Sequence, residues 1–299
     1  MKLSVSVTNF SWPAGPAAIQ ANLTSLAEFL DGRTIDTLWV ADHLLQADPA
    51  SRPDEPMLEA YTTLGFLAAK TTRLRLGTLV TATTFREPAL LVKAVTTLDV
   101  LSGGRAWLGL GAGYNADEAR SLGLFLPPAG ERFDRMAELL QLANLMWDGD
   151  ESPFDGDHSR AGRPIGQPLP ITRPPVLIGG TGERRTLRLV AEYADACNLF
   201  DIPNGANVIR RQLAALSRHC RELGRPCADI ERTITTALTP GETADQLVAR
   251  CRRLAELSFQ HIVLIARGRP WTRAELAVVV AAADQLAPVE SALVREVLT

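Results

Sequence analysis

The sequence predicts an α/β fold of the (β/α)8-barrel class. Short apolar runs rich in Val, Ile, Leu and Thr alternate with longer stretches of helical period, the pattern of strand and helix in turn. Eight such pairs can be counted. The 299 residues suit eight units plus insertions, since a barrel of this kind takes roughly 250 residues. An open doubly wound sheet is the rival architecture. Nothing in the pattern divides the chain, so 1–299 reads as one domain.

The first strand is expected at Leu3–Val7 and the second at Thr37–Ala41, which delivers Asp42 and His43 at its end. The third covers Leu74–Val80 and exits through Thr81-Ala82-Thr83-Thr84 into Phe85-Arg86-Glu87-Pro88. Pro88 opens a helix that Gly103-Gly104 closes. The fourth strand, Ala106–Leu110, leads into Gly111-Ala112-Gly113-Tyr114-Asn115. Strands five to eight are expected at Val176–Ile178, Ala196–Phe200, Thr233–Leu238 and His261–Ile265, with a helix capped by Thr243 that continues to about Leu257. Each run is too short for a buried helix, and most are bounded by Gly, Pro, Asp or Asn. From Asp148 to Pro175 the pattern breaks into Asp-Gly pairs and prolines. This insertion, 148–175, is long enough that it should be either a functional lid or a disordered loop.

Composition narrows the partners. With 31 Lys plus Arg against 34 Asp plus Glu the formal charge is −3, and no basic stripe is present to collect phosphates. Nucleic acid is therefore not expected as a partner. No apolar run reaches the roughly 20 residues of a membrane helix. The 46% hydrophobic content instead supplies a large core. Cys197, Cys220, Cys227 and Cys251, without a CxxC pair, suggest neither a disulfide framework nor a zinc site. No cleavable leader precedes the first strand, so the expected compartment is cytoplasmic. Only Lys2, Lys70 and Lys93 are lysines, a bias that points to a GC-rich genome choosing Arg codons.

In a barrel the reacting groups stand at the C-terminal ends of the strands. Asp42 and His43 put an acid beside an imidazole there, either as a helix cap with a packed His or as a proton-handling pair. The glycines of 109–113 resemble a dinucleotide fingerprint, but they follow the fourth strand, and no acid ends a next strand about 20 residues on. They would let the backbone approach a flat ligand closely. Gly179-Gly180-Thr181-Gly182 leads into a helix expected near Arg184, where free N–H groups and the helix dipole favour an anion. That is the best phosphate candidate in the sequence. No HExxH, Cys/His cluster or carboxylate cage points to a metal, and no Gly-x-Ser-x-Gly points to a hydrolase. The hard chemistry is thus expected of an organic cofactor. His158 could reach the pocket from the insertion, whereas His219 and His261 read as packing or solvent residues. Trp12, Phe200 and Trp271 read as core or as substrate-lining aromatics.

Taken together, these segments resemble the luciferase-like flavin and deazaflavin oxidoreductases. The resemblance spans Thr37 to about Phe200. It rests on Leu38-Trp39-Val40-Ala41-Asp42-His43, on Leu76-Gly77-Thr78-Leu79-Val80-Thr81 with Phe85-Arg86-Glu87-Pro88, and on Thr97-Leu98-Asp99-Val100-Leu101-Ser102-Gly103-Gly104-Arg105. Leu108-Gly109-Leu110-Gly111-Ala112-Gly113-Tyr114-Asn115 and Ile178-Gly179-Gly180-Thr181-Gly182 complete it. It implies a barrel that holds the cofactor at its C-terminal rim, with the ring against the third strand. Members carry a non-prolyl cis peptide there, which by position joins Leu79 to Val80. The resemblance also implies His43, supported by Asp42, as the catalytic pair near the redox carbon. Gly111, Ala112, Gly113 and Asn115 would lie along the ring and ribityl chain, and Gly179, Gly180, Thr181 and Gly182 around the phosphate.

Within that family the sequence is most similar to members using coenzyme F420, an 8-hydroxy-5-deazaflavin that passes hydride and reacts poorly with oxygen. The implied function is hydride transfer between F420 and a small-molecule substrate. FMN in the same pocket would imply a monooxygenase served by a separate reductase, and a barrel that binds either without turnover is a third reading. Relatives are commonly homodimers, and the apolar faces of Leu58–Ala69 and Ala89–Leu101 could pair two barrels. Two departures bear on chemistry. Tyr114 stands where some relatives place a proton-donating Glu, which leaves any acid role to His43 or the ligand. Thr239-Pro240-Gly241-Glu242 enters the next helix at once, without the insertion that covers the pocket in sugar-phosphate-oxidising relatives, so glucose 6-phosphate is a poor candidate substrate.

Overall fold

A computed structural model of the chain describes residues 1–202 and 205–287. Its elements are β1 (Lys2–Val7), α1 (Pro16–Asp31), β2 (Thr37–Val40), α2 (Ala60–Ala68), β3 (Arg75–Thr78), β4 (Thr81–Ala82), α3 (Pro88–Ser102) and β5 (Leu108–Gly111). Next come α4 (Ala116–Leu122), α5 (Ala129–Asp148), β6 (Phe154–Asp155), β7 (Arg160–Ala161), β8 (Val176–Gly179), α6 (Thr186–Tyr193) and β9 (Ala196–Phe200). The chain continues through α7 (Ala206–Leu223), a 3-10 turn, β10 (Glu231–Ala237), α8 (Ala244–Glu256), β11 (His261–Ile265) and α9 (Arg273–Leu286). The main sheet runs β3-β2-β1-β11-β10-β9-β8-β5-β4, with every ladder parallel. A bridge between Leu76 and Ala106 joins β3 towards β5 and closes the ring. With β3 and β4 as one broken stave, this is the expected eight-position barrel inside a layer of helices.

The third strand differs from its expected form. Instead of one run over Leu74–Val80 it stops at Thr78, turns through a cis Leu79–Val80 peptide, and resumes at Thr81. Its first half pairs with β2 and its second with β5. The cis bond lies at the position implied by the family resemblance.

Side chains alternate across each stave. Inward positions supply Trp39, Trp107, Leu177, Ala196 and Val263, a buried cluster on which Leu79 and Val80 rest. Outward positions such as Leu38, Leu76, Leu108, Ile178, Leu199, Ile234 and Ile262 meet the helices in the larger core. Two indoles fit inside the ring, 5.5 Å apart, because the inward position of β3 is Gly77. A Cβ there would lie 2.7 Å from the Trp107 Cβ and 2.9 Å from Trp39 Cζ3. Gly109 is tighter still, since a Cβ would stand 1.8 Å from the Thr78 carbonyl oxygen.

The insertion is neither lid nor loose loop. It forms the β6–β7 hairpin, and its contacts fall on the outer helices: the His158 amide donates to Glu138 on α5 at 3.1 Å, and the Thr172 amide to Asp99 on α3 at 3.0 Å. His158 thereby braces α5. Trp12 and Trp271 are buried and joined by a bond from Trp12 Nε1 to the Trp271 carbonyl, 3.1 Å, which makes them core rather than substrate platform. His219 bonds the Glu183 carbonyl at 2.8 Å. His261 is wholly buried where β11 begins, bound to Ser4 Oγ at 2.5 Å and Glu231 Oε1 at 3.1 Å.

Gly109→Ala should cost about 3 kcal/mol in urea unfolding, because the added methyl meets a backbone oxygen that cannot swing aside; a loss under about 1 kcal/mol would contradict that crowding. A second outcome concerns Glu231. Burial raises its pKa, but the His261 imidazole and Lys2 outweigh this and hold it at about 2, against 4.5 for a free Glu. The carboxyl is depressed in the fold, so its stabilisation is present above pH about 4.5 and fades as pH falls towards 2. Urea titrations of wild type and Glu231→Gln at successive pH values should therefore converge across that window.

Candidate active site

The long segment at the strand ends is the β2–α2 loop, residues 41–59, rather than the insertion. Three bonds lay it over the neighbouring staves: Gln46 Nε2 to the Thr8 carbonyl at 3.2 Å, the Gly268 amide to Asp48 Oδ2 at 2.7 Å, and Asn9 Nδ2 to Glu55 Oε2 at 3.0 Å.

Asp42 opens this loop and is only 2% exposed. Its carboxylate takes both arms of Arg86, Nη1 at 2.6 Å and Nη2 at 3.1 Å, and also the Thr81 hydroxyl at 2.8 Å. Arg86 further pairs with Glu59 and lies over the Tyr61 ring, 4.6 Å from its centroid. Burial alone would lower the Arg86 pKa, but the bonds and charge of Asp42 raise it. Tyr61 donates or accepts at Thr81, 3.0 Å away, and burial together with the Asp42 charge pushes its phenol up to about 12. Asp42 is thus saturated by a fork and a hydroxyl. It does not support His43, contrary to the pairing expected from sequence.

The partner of His43 is Glu118, on the first turn of α4 and 1% exposed. Glu118 Oε2 lies 2.8 Å from His43 Nδ1, while Oε1 accepts the Leu44 and Leu45 amides at 2.6 and 3.0 Å. Burial would raise this carboxyl's pKa, yet the imidazole and the two amides lower it. An anionic Glu118 accepts, so Nδ1 carries a hydrogen and Nε2 is the ring nitrogen left for a ligand. Nε2 has no partner among the described residues. The imidazole side chain is 22% exposed, with the Tyr114 ring edge-on at 5.7 Å. Glu118 is not among the site residues expected from sequence, although Asn115, three residues before it, matches a helix-capping spacing. Asn115 does cap α4, accepting the Glu118 amide at 3.1 Å. Its Oδ1 is committed there, while Nδ2 has no partner among the described residues.

Between these groups lies a wall without side chains. Val80 rises from the bend of the third stave between two glycines. A Cβ on Gly111 would come 2.7 Å from Val80 Cγ2, and one on Gly179 3.0 Å from Val80 Cγ1. Leu79 packs below on the indole cluster, Ala112 packs on the outer core, and Gly113 takes φ +75°. After β8, Gly180 adopts φ +133°, Thr181 is exposed, and a Cβ on Gly182 would sit 2.7 Å from Thr186 Oγ1. α6 starts at Thr186, two residues later than the expected start near Arg184. The Ser6 hydroxyl, on an inward position of β1, is buried without a partner among the described residues. A planar heterocycle fits this surface. Val80 and the glycines would meet its face, Ser6 could bond its edge, and the Thr181 and Gly182 amides could receive a phosphate, the Gly180 amide being given to the Asn198 carbonyl at 3.1 Å.

Fold and site together define a (β/α)8 barrel with a nearly bare wall at its C-terminal rim. The chain belongs to the luciferase-like monooxygenase family, whose sequence model matches residues 1–290. A relative from Mycobacterium tuberculosis is 34% identical over 150 residues, which is 49% of this chain and 52% of that protein, so the chain matches about half the length of this relative. The F420-dependent glucose-6-phosphate dehydrogenase of Kineococcus radiotolerans is 31% identical over 248 residues, covering 79% of this chain and 69% of that one. Among solved structures, a monooxygenase from Streptomyces bottropensis superposes with a TM-score of 0.78 at 17% identity, covering 96% of this chain and 98% of that one. An F420-dependent secondary alcohol dehydrogenase gives 0.76 at 16% identity, covering 94% and 99%. At such identities the two structures speak for the fold alone.

Removing the Arg86 fork should strand a buried carboxylate. Arg86→Ala is expected to lose about 3–5 kcal/mol in chemical unfolding, and Asp42→Asn with Arg86→Ala should lose less than the two single losses added, because each single change leaves the other charge unpaired. Strict additivity would show that the pair does not act as a unit.

Proposed function

We propose that this enzyme is an F420-dependent oxidoreductase that moves a hydride between the deazaflavin and a small organic substrate. The observation that carries the reading is the His43–Glu118 pair, an imidazole oriented by a buried anion, at the rim beside the Val80–Gly111–Gly179 wall. The extended similarity to dehydrogenases named for F420 supports the choice of cofactor. Leu79, Val80, Gly111 and Gly113 would form the wall against the ring, with Ala112 backing it from the outer core, and Gly179, Gly180, Thr181 and Gly182 would hold the phosphate. Bound there, a deazaflavin supplies a carbon centre that accepts or gives hydride and reacts poorly with oxygen.

The protein's own part is proton handling and orientation. Glu118 holds Nδ1–H, so Nε2 faces the rim as a base. In oxidation Nε2 takes the proton of a substrate hydroxyl; in reduction the protonated ring returns it to the nascent oxygen. The anionic Glu118 stabilises the imidazolium in either direction. Asp42 acts on geometry, holding the bend that carries Val80. The same wall would also accept FMN, and the family's monooxygenase relatives keep that reading open to the same titration.

Fluorescence titration of the full chain should show F420 binding more tightly than FMN; tight FMN with no F420 uptake would overturn the assignment. His43→Ala should lower turnover by about 10²–10⁴-fold with F420 affinity nearly unchanged. Glu118→Gln should lower turnover less, and unaltered kcat in both variants would remove the pair from the mechanism.

A further inference from the structure

Resting on that hydride-transfer reading, we infer that the substrate is an uncharged alcohol or ketone with an apolar ring or chain, seated against Phe200 and Tyr114, rather than a sugar phosphate. Phe200 ends β9. Its register is set by the two inward residues below it: Ala196 lies in the barrel's buried cluster, and Asn198 bonds Thr233 at 2.8 Å and Thr235 at 3.0 Å on the adjacent stave β10. Residues two apart share a face, so Phe200 points into the mouth, and there it is 50% exposed. Tyr114 is 70% exposed with its ring against His43. Ile202, just past Phe200, is 45% exposed. Apolar surface left open at the barrel mouth, on the His43 side at Tyr114 and on the facing side at Phe200, marks a site for an apolar ligand.

The charges agree. A phosphate-bearing substrate needs an uncommitted cation; the arginines of the loops over the mouth are paired with carboxylates, while Arg132, on the Gly113 carbonyl, and Arg184, just past Gly182, stand beside the glycine turns assigned to the cofactor. Arg86 serves Asp42 and Glu59, Arg250 holds Glu242 at 2.7 Å, Arg269 holds Glu275 at 2.6 Å, and Arg267 lies 3.7 Å from Asp48. Lys2 begins β1 at the opposite end of the barrel, Lys70 precedes β3, and Lys93 sits mid-way along α3. The remaining anion site, at Gly180–Gly182, is the one assigned to the cofactor phosphate.

The reaction then balances without a further reactant. The carbinol C–H breaks with its electron pair passing as hydride to oxidised F420, the O–H proton goes to His43 Nε2, and the carbonyl double bond forms. The substrate is oxidised by two electrons and the deazaflavin reduced by two.

Steady-state turnover of the F420-loaded full chain, followed by loss of oxidised-cofactor absorbance, tests this with 1-phenylethanol, cyclohexanol and glucose 6-phosphate. At least one alcohol should exceed glucose 6-phosphate in kcat/KM by about 100-fold. Phe200→Ala should raise KM for that alcohol about tenfold, equivalent to about 1.4 kcal/mol, with kcat and F420 affinity little changed, and Phe200→Leu should restore most of it. Preference for glucose 6-phosphate, or turnover of neither alcohol by protein that binds F420, would overturn the substrate inference while leaving the cofactor reading intact. An unmoved KM in Phe200→Ala would overturn the seat on Phe200. Failure to bind F420 would instead overturn the cofactor reading, and the inference with it.

Discussion

The buried carboxylate of Asp42 is the constraint on which the site depends. A lone anion in that position would be prohibitively placed, and the Arg86 fork and Thr81 hydroxyl make it tolerable. In satisfying it the protein ties together the end of β2, the bend between β3 and β4, and, through Glu59 and Tyr61, the start of α2. Thr78 and Thr81 bond each other across the bend at 2.9 Å, and Thr78 also reaches the Gly109 carbonyl. The bend carrying Val80 is therefore held from both neighbouring staves.

Packing inside the barrel makes the same demand from below. Trp39 and Trp107 fill the interior only because Gly77 and Gly109 present no side chain, so β3 and β5 approach closely at that level. Leu79 and Val80 rest on the indoles. One layer up, Gly111 and Gly179 leave Val80 as the feature standing out of the wall. Crowding in one layer and bareness in the next give a closely packed apolar floor with Val80 as its raised feature.

Two buried carboxylates flank this floor with different duties, set by what they face. Asp42 meets a guanidinium and is structural. Glu118 meets an imidazole and two amides, and it selects which ring nitrogen carries the proton. Neighbours in sequence suggested that Asp42 serves His43. Consecutive residues at a strand end point to opposite sides, however, so Asp42 turns outward to α2 while His43 turns towards α4.

Much of the fold was legible in the sequence alone, because strand and helix periods are local properties. Eight staves, the glycine turns after β5 and β8, and the caps of α3 and α8 could be read from runs of a few residues. The motifs around Leu79–Val80 and Gly179–Gly182 likewise pointed to the wall through their resemblance to a family. What the sequence could not decide were the long-range pairings. Glu118 is separated from His43 by 75 residues and Arg86 from Asp42 by 44, and no period or spacing couples such positions. The insertion reads as a lid by length, yet it lies on α5 and α3 because its polar amides find Glu138 and Asp99 there. Local backbone preference acts between neighbours in the chain and so survives in the sequence; the partner of a buried charge depends on which staves the closed barrel brings side by side, and only the tertiary structure supplies that.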